Sequence, residues 1–274
     1  MQNDLPIYEL YAIRYAMRDA NRSEHFIGGD PHDSPMPMDY FVWLARCGDH
    51  NVLIDTGFTE VVAARRGRQF LHCPIDTLAA LGVAADTVQD IILTHLHYDH
   101  SGNFDRFANA SFHLQEKELQ FATGKYMRHP RMSYSFEVDD VCGIVRLNYK
   151  KRVIFYDGDD NLCPGIRLHR TGGHSAGLQF VSVHTKRGWV VLASDAAHFY
   201  ENMDSGRPFT VAYHVGEMLE SFDRLCKVAP SHDHIIPGHD PLVMRLYPAV
   251  DGFEGRVAQL DVPPVKEPDA ADIP

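Results

Sequence analysis

The feature that most constrains the fold of this chain is a cluster of metal-binding residue types directly after an apolar segment. The segment 94–100 reads Thr-His-Leu-His-Tyr-Asp-His, and it follows 90–93, Asp-Ile-Ile-Leu, which is typical of a buried β-strand. Residues two apart on an extended segment point the same way, so His95 and His97 can reach one ion. Asp99 and His100 lie where the chain turns and can reach a neighbouring ion. The cluster therefore predicts a metal centre at the end of a strand.

The types of side chain in this cluster indicate the class of site. Imidazole, carboxylate and water are the ligands of zinc, manganese and iron in hydrolytic sites, whereas structural zinc sites are rich in thiolates. The five cysteines are widely spaced and never form Cys-x-x-Cys, so we expect buried free thiols rather than disulfides or a thiolate site. A solvated polar loop is the alternative for a chain with 17 histidines.

The pattern His95-x-His97-x-Asp99-His100 resembles the signature of the metallo-β-lactamase superfamily. This resemblance implies an α/β chain folded as a four-layer αββα sandwich, with a site for two metal ions at the edge of two sheets. Three later segments resemble the family's remaining ligands. They are a Gly-His turn at 172–177, an aspartate after an apolar strand at 193–195, and a second Gly-His at 237–240.

The resemblance also implies a role for each of these residues. One divalent metal would be held by His95, His97 and His174, the other by Asp99, His100 and His239, and Asp195 would bridge them. Asp55, in the segment 53–57, would lie behind the ligands and orient a histidine. Zinc is the metal that we expect, with iron, manganese and cobalt as alternatives.

The superfamily hosts several activities, so its fold does not fix the substrate. The spacing of the later ligands and the segment 112–115, Phe-His-Leu-Gln, resemble the N-acyl-homoserine lactonase branch. That resemblance implies a hydrolase that opens a lactone ring by a metal-bridged hydroxide, with an N-acyl-homoserine lactone as the first candidate and quorum quenching as the outcome. The alternatives are hydrolysis of another cyclic amide, β-lactam, thioester or ester, and a diiron redox protein on the same scaffold.

Two residues are candidate catalytic groups. Asp99, a ligand close to the attacking water, can carry its proton to the leaving group. Lactonases of this branch commonly have a tyrosine three residues after the bridging aspartate, where this chain has His198. An imidazole can donate the same hydrogen bond. A structural role for His198, with Tyr200 as the substitute, stays open at this point.

The rest of the chain predicts one domain over 1–274, with a loosely ordered tail over 262–274. Apolar runs predict strands over 7–13, 40–45, 51–54, 90–94, 152–156, 166–169, 178–184, 189–193 and 235–236. Helices are predicted over 74–81 and 211–228, with an inserted helical segment around 115–145. Several apolar residues are candidates for an acyl pocket, although core packing explains most of them. These are Tyr98, Phe104, Phe107, Tyr126, Met127, Met132, Tyr134 and Phe136.

Charge and hydropathy exclude some partners. The net charge is −11 and the basic residues are scattered, which disfavours nucleic acid because binding its backbone needs a continuous basic surface. The amino-terminal residues do not resemble a signal peptide, and no apolar run approaches the ~18 residues of a membrane helix. We therefore expect a cytoplasmic protein whose partner is a small lactone or related cyclic compound, and we leave a homodimer open.

Overall fold

Two stacked β-sheets with helices on their outer faces form the architecture of the computed structural model, which describes residues 5–265. The predicted αββα sandwich is confirmed. Each predicted strand is present with shifted ends. Of the predicted tail, residues 266–274 lie outside the described residues, and the organisation of 1–274 as one domain stays a prediction.

The first sheet has eight strands. Seven follow one hydrogen-bonded path, in the order β13 (Val257–Gln259), β1 (Glu9–Arg18), β2 (Met38–Cys47), β3 (His50–Ile54), β5 (Asp90–Ile92), β6 (Ser111–Gln115) and β7 (Val153–Tyr156). The short β4 (Gln69–Phe70) pairs with β1. Because β3, β5, β6 and β7 are parallel, their carboxyl ends meet at one edge.

The second sheet has five strands. Their order is β12 (Ile235–Pro237), β11 (Gly188–Ser194), β10 (Gln179–Thr185), β9 (Ile166–Arg170) and β8 (Asp160–Cys163). The β11–β12 pair is parallel and the other pairs are antiparallel. The segments that follow β11 and β12 therefore leave the sheet side by side.

Alternating apolar side chains fill three core layers. On β2, Phe41 and Trp43 pack between the two sheets, whereas Val42 and Leu44 pack under the helices on the other side. On the second sheet, Val191 points outwards to a third layer. A strand with both faces covered is nearly continuously apolar, and this explains the apolar run at 40–45.

The helices flank the sheets. They are α1 (Glu60–Arg66), α2 (Pro74–Ala80), α3 (Tyr98–Ser101), α4 (Glu116–Ala122), α5 (Pro130–Ser133), α6 (Val138–Tyr149), α7 (Tyr200–Ser205), α8 (Val215–Val228) and α9 (Leu242–Leu246). Helices α4 to α6 confirm the predicted helical insertion, and Pro74 begins α2 as expected. No helix within 5–265 is both long and apolar enough to cross a bilayer.

The predicted start of the helix at 211 is wrong. Helix α8 begins at Val215 because the His214 ring accepts a hydrogen bond from the Glu217 N–H at 3.0 Å and caps the first turn. The four residues before it form a loop beside the metal-binding cluster. The buried face of α8 is narrow, since Val215 and Leu219 are exposed.

The cysteines are free, as predicted, but their predicted burial is wrong. Cys142 on α6 and Cys226 on α8 are exposed, and Cys47, Cys73 and Cys163 are half-buried. On a helix, neighbouring residues point about 100° apart. Cys226 therefore faces solvent although Leu225 beside it is buried.

Candidate metal centre

Seven buried histidines and aspartates converge where strands of both sheets end. The first sheet supplies the residues that follow β5, namely His95, His97, Asp99 and His100. The second sheet supplies His174 from the β9–β10 loop, Asp195 directly after β11, and His239 just after β12. The structure thus brings together all seven residues that the sequence analysis singled out.

Asp195 lies between two groups of imidazoles. Its Oδ1 is 3.1 Å from the Nε2 atoms of both His100 and His239. Its Oδ2 is 3.0 Å from Nε2 of His174 and 3.7 Å from Nε2 of His95. Each oxygen of one carboxylate therefore faces a different group of nitrogen atoms.

Potential ligand atoms fall into two main sets. Within each set, the atoms lie within 4.8 Å of one another. One set contains His95, His97, His174 and Asp195, and the other contains Asp99, His100 and His239; a smaller group of Asp195, His198 and His239 shares one residue with each. These are the same two sets that the family resemblance implied, with Asp195 between them.

The nitrogen atoms in these sets have the properties of metal ligands. Nε2 of His95 and Nε2 of His100 are buried and make no well-aligned hydrogen bond in the described part of the chain, although Asp195 Oδ1 lies 3.1 Å from Nε2 of His100. Leaving such atoms unsatisfied in a protein interior costs about 1–3 kcal/mol each, which a bound cation would offset. Burial also lowers the pKa of His95 and of His97, so both rings stay neutral, the form that binds a metal. The carboxylates of Asp195 and Asp99 instead raise the pKa of His100 and of His239, so these carboxylates stabilise positive charge at this position. The donor set therefore fits divalent cations.

The second ring nitrogen of several histidines is hydrogen-bonded away from the centre. Nδ1 of His174 donates to the Val211 carbonyl and Nδ1 of His239 donates to the Asp39 carbonyl, both at 2.8 Å. These bonds fix each ring with Nε2 towards the centre, as in known metal sites.

Asp55 holds the cluster from behind, in the position that the family resemblance implied. Its Oδ2 accepts from His100 Nδ1 at 2.7 Å and from the Thr94 hydroxyl at 2.8 Å. The Ser194 hydroxyl donates to the Thr94 oxygen at 2.8 Å, which joins the two sheets. Asp55 and Ser194 have left-handed backbones, with φ of 61° and 46°. Such conformations are costly outside glycine and concentrate at functional sites.

Glu118 is a site residue that the sequence analysis missed. Its buried carboxylate accepts hydrogen bonds from the Leu96 and Gly177 N–H groups, at 3.0 and 2.8 Å, and from the Ser175 hydroxyl. It thereby joins the loop of His95 and His97 to the loop of His174. Its sequence context, an ordinary charged helix start, carries no signal of this role.

Glycines beside the clustered histidines and aspartates are required by close backbone contacts. A Cβ atom on Gly238 would lie 2.6 Å from the Ser194 carbonyl oxygen, next to Asp195. A Cβ atom on Gly173 would lie 2.5 Å from the Met218 nitrogen, and Gly173 has φ of 86°. The two Gly-His pairs of the sequence thus let His239 and His174 approach the centre.

His198 lies against the same aspartate. Its Nε2 is 3.0 Å from Asp195 Oδ2, and its ring stacks on Phe209. Burial lowers the pKa of His198 to about 3, so the ring is neutral near pH 7. Tyr200 does not substitute for it, because its side chain packs into the core between the sheets and contacts His232.

Two adjoining cavities open beside the centre. One, of about 320 Å³, contains Asp99, Asp195 and His198 together with polar side chains such as Arg68. The other, of about 350 Å³, is mostly apolar. Its lining includes Phe121, Met132, Tyr134, Val211, Ala212 and Tyr213.

Some of the residues that are candidates for an acyl pocket line these cavities, and the others pack elsewhere, as expected. Tyr98, Met132 and Tyr134 line these cavities. The others contribute to core packing or to a separate surface pocket. Phe104, Phe107, Met127 and Phe136 belong to the first core layer, and Tyr126 lines the surface pocket.

Comparison with known proteins identifies the family. The family model described as the metallo-beta-lactamase superfamily matches residues 37–239, most of the chain. The chain belongs to this superfamily. It is therefore a hydrolase of the metallo-β-lactamase fold with His/Asp clusters for metal binding.

Relatives within the superfamily are N-acyl homoserine lactonases. AiiA of Bacillus thuringiensis subsp. kurstaki is 32% identical over 219 residues, which cover 73% of this chain and 81% of AiiA. AttM of Rhizobium radiobacter is 27% identical over 244 residues, which cover 78% of this chain and 85% of AttM. A crystal structure of a quorum-quenching N-acyl homoserine lactone lactonase has a TM-score of 0.73 at 25% identity and covers 87% of this chain and 95% of its own.

Proposed function

We propose that this hydrolase is a lactonase that opens the ring of N-acyl-homoserine lactones. The observation that carries the proposal is the position of Asp195, whose two oxygens face two separate sets of imidazoles beside a mostly apolar cavity. Relatives that carry the name N-acyl homoserine lactonase support the same substrate class. Hydrolysis of such signals is quorum quenching.

The proposed ligands follow from these two sets. His95, His97 and His174 would hold one cation, Asp99, His100 and His239 the other, and Asp195 would bridge them. When bound, a pair of divalent cations lowers the pKa of water towards neutrality and polarises a carbonyl oxygen. We propose zinc as the native metal because its ligands in catalytic sites are imidazole and carboxylate.

Asp99 is suited to move a proton during ring opening. Its carboxylate lines the cavity, with Oδ2 at 3.6 Å from Nε2 of His100 and 3.7 Å from Nε2 of His239. The Tyr15 hydroxyl donates to the Asp99 carbonyl at 2.8 Å and fixes the backbone. We propose that Asp99 takes the proton of the attacking water and passes it to the alkoxide that leaves as the ring opens.

His198 is suited to bind the substrate carbonyl. Its neutral ring carries one N–H donor, which faces Asp195 Oδ2 at 3.0 Å on the wall of the cavity that contains Asp99. With Asp195 engaged by the proposed cations, this N–H would be available to a substrate carbonyl. A donor aimed at the oxygen of a reacting carbonyl stabilises the negative charge that develops there. We propose this role for His198, which takes the place of the tyrosine in related lactonases.

The apolar cavity supports an acyl chain as part of the substrate. Its volume of about 350 Å³ lies at the lower end of ligand pockets, and His97, His174 and Val211 line both cavities. A ring ester at the centre would therefore have apolar surface within reach of its acyl group. Substituting Ala212 by Phe should narrow this cavity and raise KM for long acyl chains more than for short ones.

The test is a substrate panel on one purified sample of known metal content. We expect one proton released per N-acyl-homoserine lactone opened, with slower turnover of β-lactams, thioesters and linear esters at matched concentration. Preferred turnover of one of those other classes would refute the lactonase proposal. A coloured, iron-containing protein that consumes oxygen instead would indicate a diiron redox protein. A cytoplasmic location stays a prediction. Whether the protein forms a homodimer stays open, and light scattering can test it.

A further inference from the structure

We propose that a network of four ion-paired residues positions His198 for catalysis through Phe209, on which the His198 ring stacks. The network joins the connection between β1 and β2, residues 19–37, to the chain after α7. It consists of Arg22, Asp30, Glu201 and Arg207. None of these residues lines either cavity. The inference rests on the proposed role of His198 in lactone hydrolysis and adds residues that act on the reaction through packing.

Asp30 is the centre of the network. Its Oδ2 accepts hydrogen bonds from Nη2 of Arg22 at 3.1 Å and from Nη1 of Arg207 at 2.9 Å. Only 5% of its side chain is exposed. Because this carboxylate is largely removed from solvent, its ion pairs are screened less than those on an open surface.

The two arginines extend the network to further groups. Arg22 donates from Nη1 to Oε2 of Glu201, in the first turn of α7, at 2.9 Å. Arg207, just after α7, donates from Nη2 to the Gly29 carbonyl at 2.7 Å. The chain that leaves α7 is therefore fixed against the β1–β2 connection.

Phe209 lies between two further contacts with the same connection. The Pro208 carbonyl accepts a hydrogen bond from the Ile27 N–H at 3.0 Å, and the Thr210 hydroxyl donates to the Glu24 carbonyl at 2.7 Å. The backbone is thus held on both sides of the Phe209 ring. Because the network fixes the β1–β2 connection, it also fixes the position of this ring.

The chain beyond Phe209 is held separately, by the loop of His174. The Val211 carbonyl accepts from Nδ1 of His174 at 2.8 Å, and the Tyr213 N–H donates to the Gly173 carbonyl at 2.8 Å. A change in the network should therefore move Phe209 more than His174. We expect metal binding to be retained when the network is broken.

The network matters for the reaction because a hydrogen-bond donor acts only at the correct position. A displacement of about 1 Å, even one caused by a change far from the reacting atoms, can lower the rate about 100-fold. The donor on His198 is proposed to act on the developing oxyanion. Its misplacement should therefore lower kcat and leave KM largely unchanged.

The first experiment measures kcat and KM with the N-acyl-homoserine lactone that the wild type opens fastest. Asp30→Asn should lower kcat about 2- to 30-fold, the range for residues that act through a packed network, with KM and metal content unchanged. Asp30→Glu keeps the charge and should recover part of the rate. Asp157→Asn is the matched control, since Asp157 pairs with Arg170 at an 81% exposed site and lines neither cavity, and it should keep the wild-type kcat.

A double-mutant cycle tests whether the network acts through His198. In the His198→Ala background, Asp30→Asn should change kcat by less than about 2-fold, because the side chain that it positions is absent. A merely structural role would lower kcat by the same factor in both backgrounds.

The NMR signals of His198 report its position without any substrate. The zinc-loaded protein is used because zinc is diamagnetic. Since the His198 ring lies over the face of Phe209, its carbon-bound protons should resonate upfield of those of an unstacked histidine. These signals are assigned by their loss in His198→Ala. They should move downfield or broaden in Asp30→Asn and Arg207→Met, and they should stay in place in Asp157→Asn.

Two results would overturn the positioning role. One is a set of His198 signals that is the same in the wild type, Asp30→Asn and Arg207→Met. The other is an equal fall in kcat on Asp30→Asn substitution with and without His198. If Asp30→Asn does not fold, Arg207→Met provides the same comparisons. Failure of the lactonase proposal has a different signature, since the wild type would then open no N-acyl-homoserine lactone while the His198 signals would still report on Asp30.

Discussion

His198 is stacked on Phe209, with ring centroids 3.6 Å apart and an angle of 9° between the ring planes. Phe209 is in turn stacked against His25 at 5.7 Å. The three aromatic rings fix the orientation of His198 while its Nε2 lies 3.0 Å from Asp195. His198 is therefore oriented by packing before any substrate binds.

Replacing His198 by Ala should lower kcat for lactone hydrolysis about 100-fold, because one donor to the developing oxyanion is lost. His198→Tyr should recover much of that rate, since a phenol can donate the same hydrogen bond. Metal content, measured by elemental analysis, should stay unchanged in both variants. An unchanged kcat in His198→Ala would remove this residue from the mechanism.

Replacing His97 or Asp195 by Ala should release metal and abolish hydrolysis, because each substitution removes a proposed ligand. Elemental analysis and lactone turnover on the same samples give the measurement. His232→Ala is the matched control, since His232 is an exposed histidine away from the centre, paired with Asp204. Full activity in a metal-free Asp195→Ala protein would contradict the site assignment.

Glu118→Gln should destabilise the protein by about 1–3 kcal/mol, because the amide nitrogen would face N–H and O–H donors and leave at least one of them unpaired. The expected result is a lower Tm together with weaker metal retention, since Glu118 joins two ligand-bearing loops. Glu116→Gln, an exposed change on the same helix, should have little effect. Equal Tm values for the two variants would argue against the role of Glu118 in joining the two loops.

The stability of the protein should depend on His25 below neutral pH. Burial lowers the pKa of His25 to about 4, whereas its ordinary value is 6.5. Between these values the unfolded chain binds more protons than the folded one, so lowering the pH destabilises the fold. The free energy of unfolding of the wild type, measured in urea relative to His25→Gln, should therefore fall as the pH decreases from about 6.5 to 4. A difference that does not vary with pH would contradict this, and His32→Gln, at an exposed site, is the control.

Much of the fold and of the candidate site could be predicted because both depend on local signals. Apolar runs marked the strands, and a compact run of histidines at the end of one of them marked the metal centre. The order of His174, Asp195 and His239 then followed the family pattern. These signals are short in sequence, and each proposed ligand lies in the segment that follows a strand.

The remaining features depend on tertiary contacts that no local pattern carries. Glu118 resembles any charged residue at the start of a helix, and only the fold brings it to Leu96 and Gly177. The first turn of α8 was predicted too early because the His214 cap is set by backbone geometry rather than by periodicity. The stacking of Phe209 on His198 likewise joins residues from separate segments.

The proposed ligands come from both sheets, four from the segment after β5 and three from segments that follow strands of the other sheet. With the proposed cations bound, the centre would act as a cross-link that resists separation of the two layers along one edge. The resistance of the protein to urea would then rise with free metal concentration, by about 1.4 kcal/mol for each tenfold increase above Kd. Loss of metal would therefore weaken the contact between the two layers as well as remove catalytic capacity.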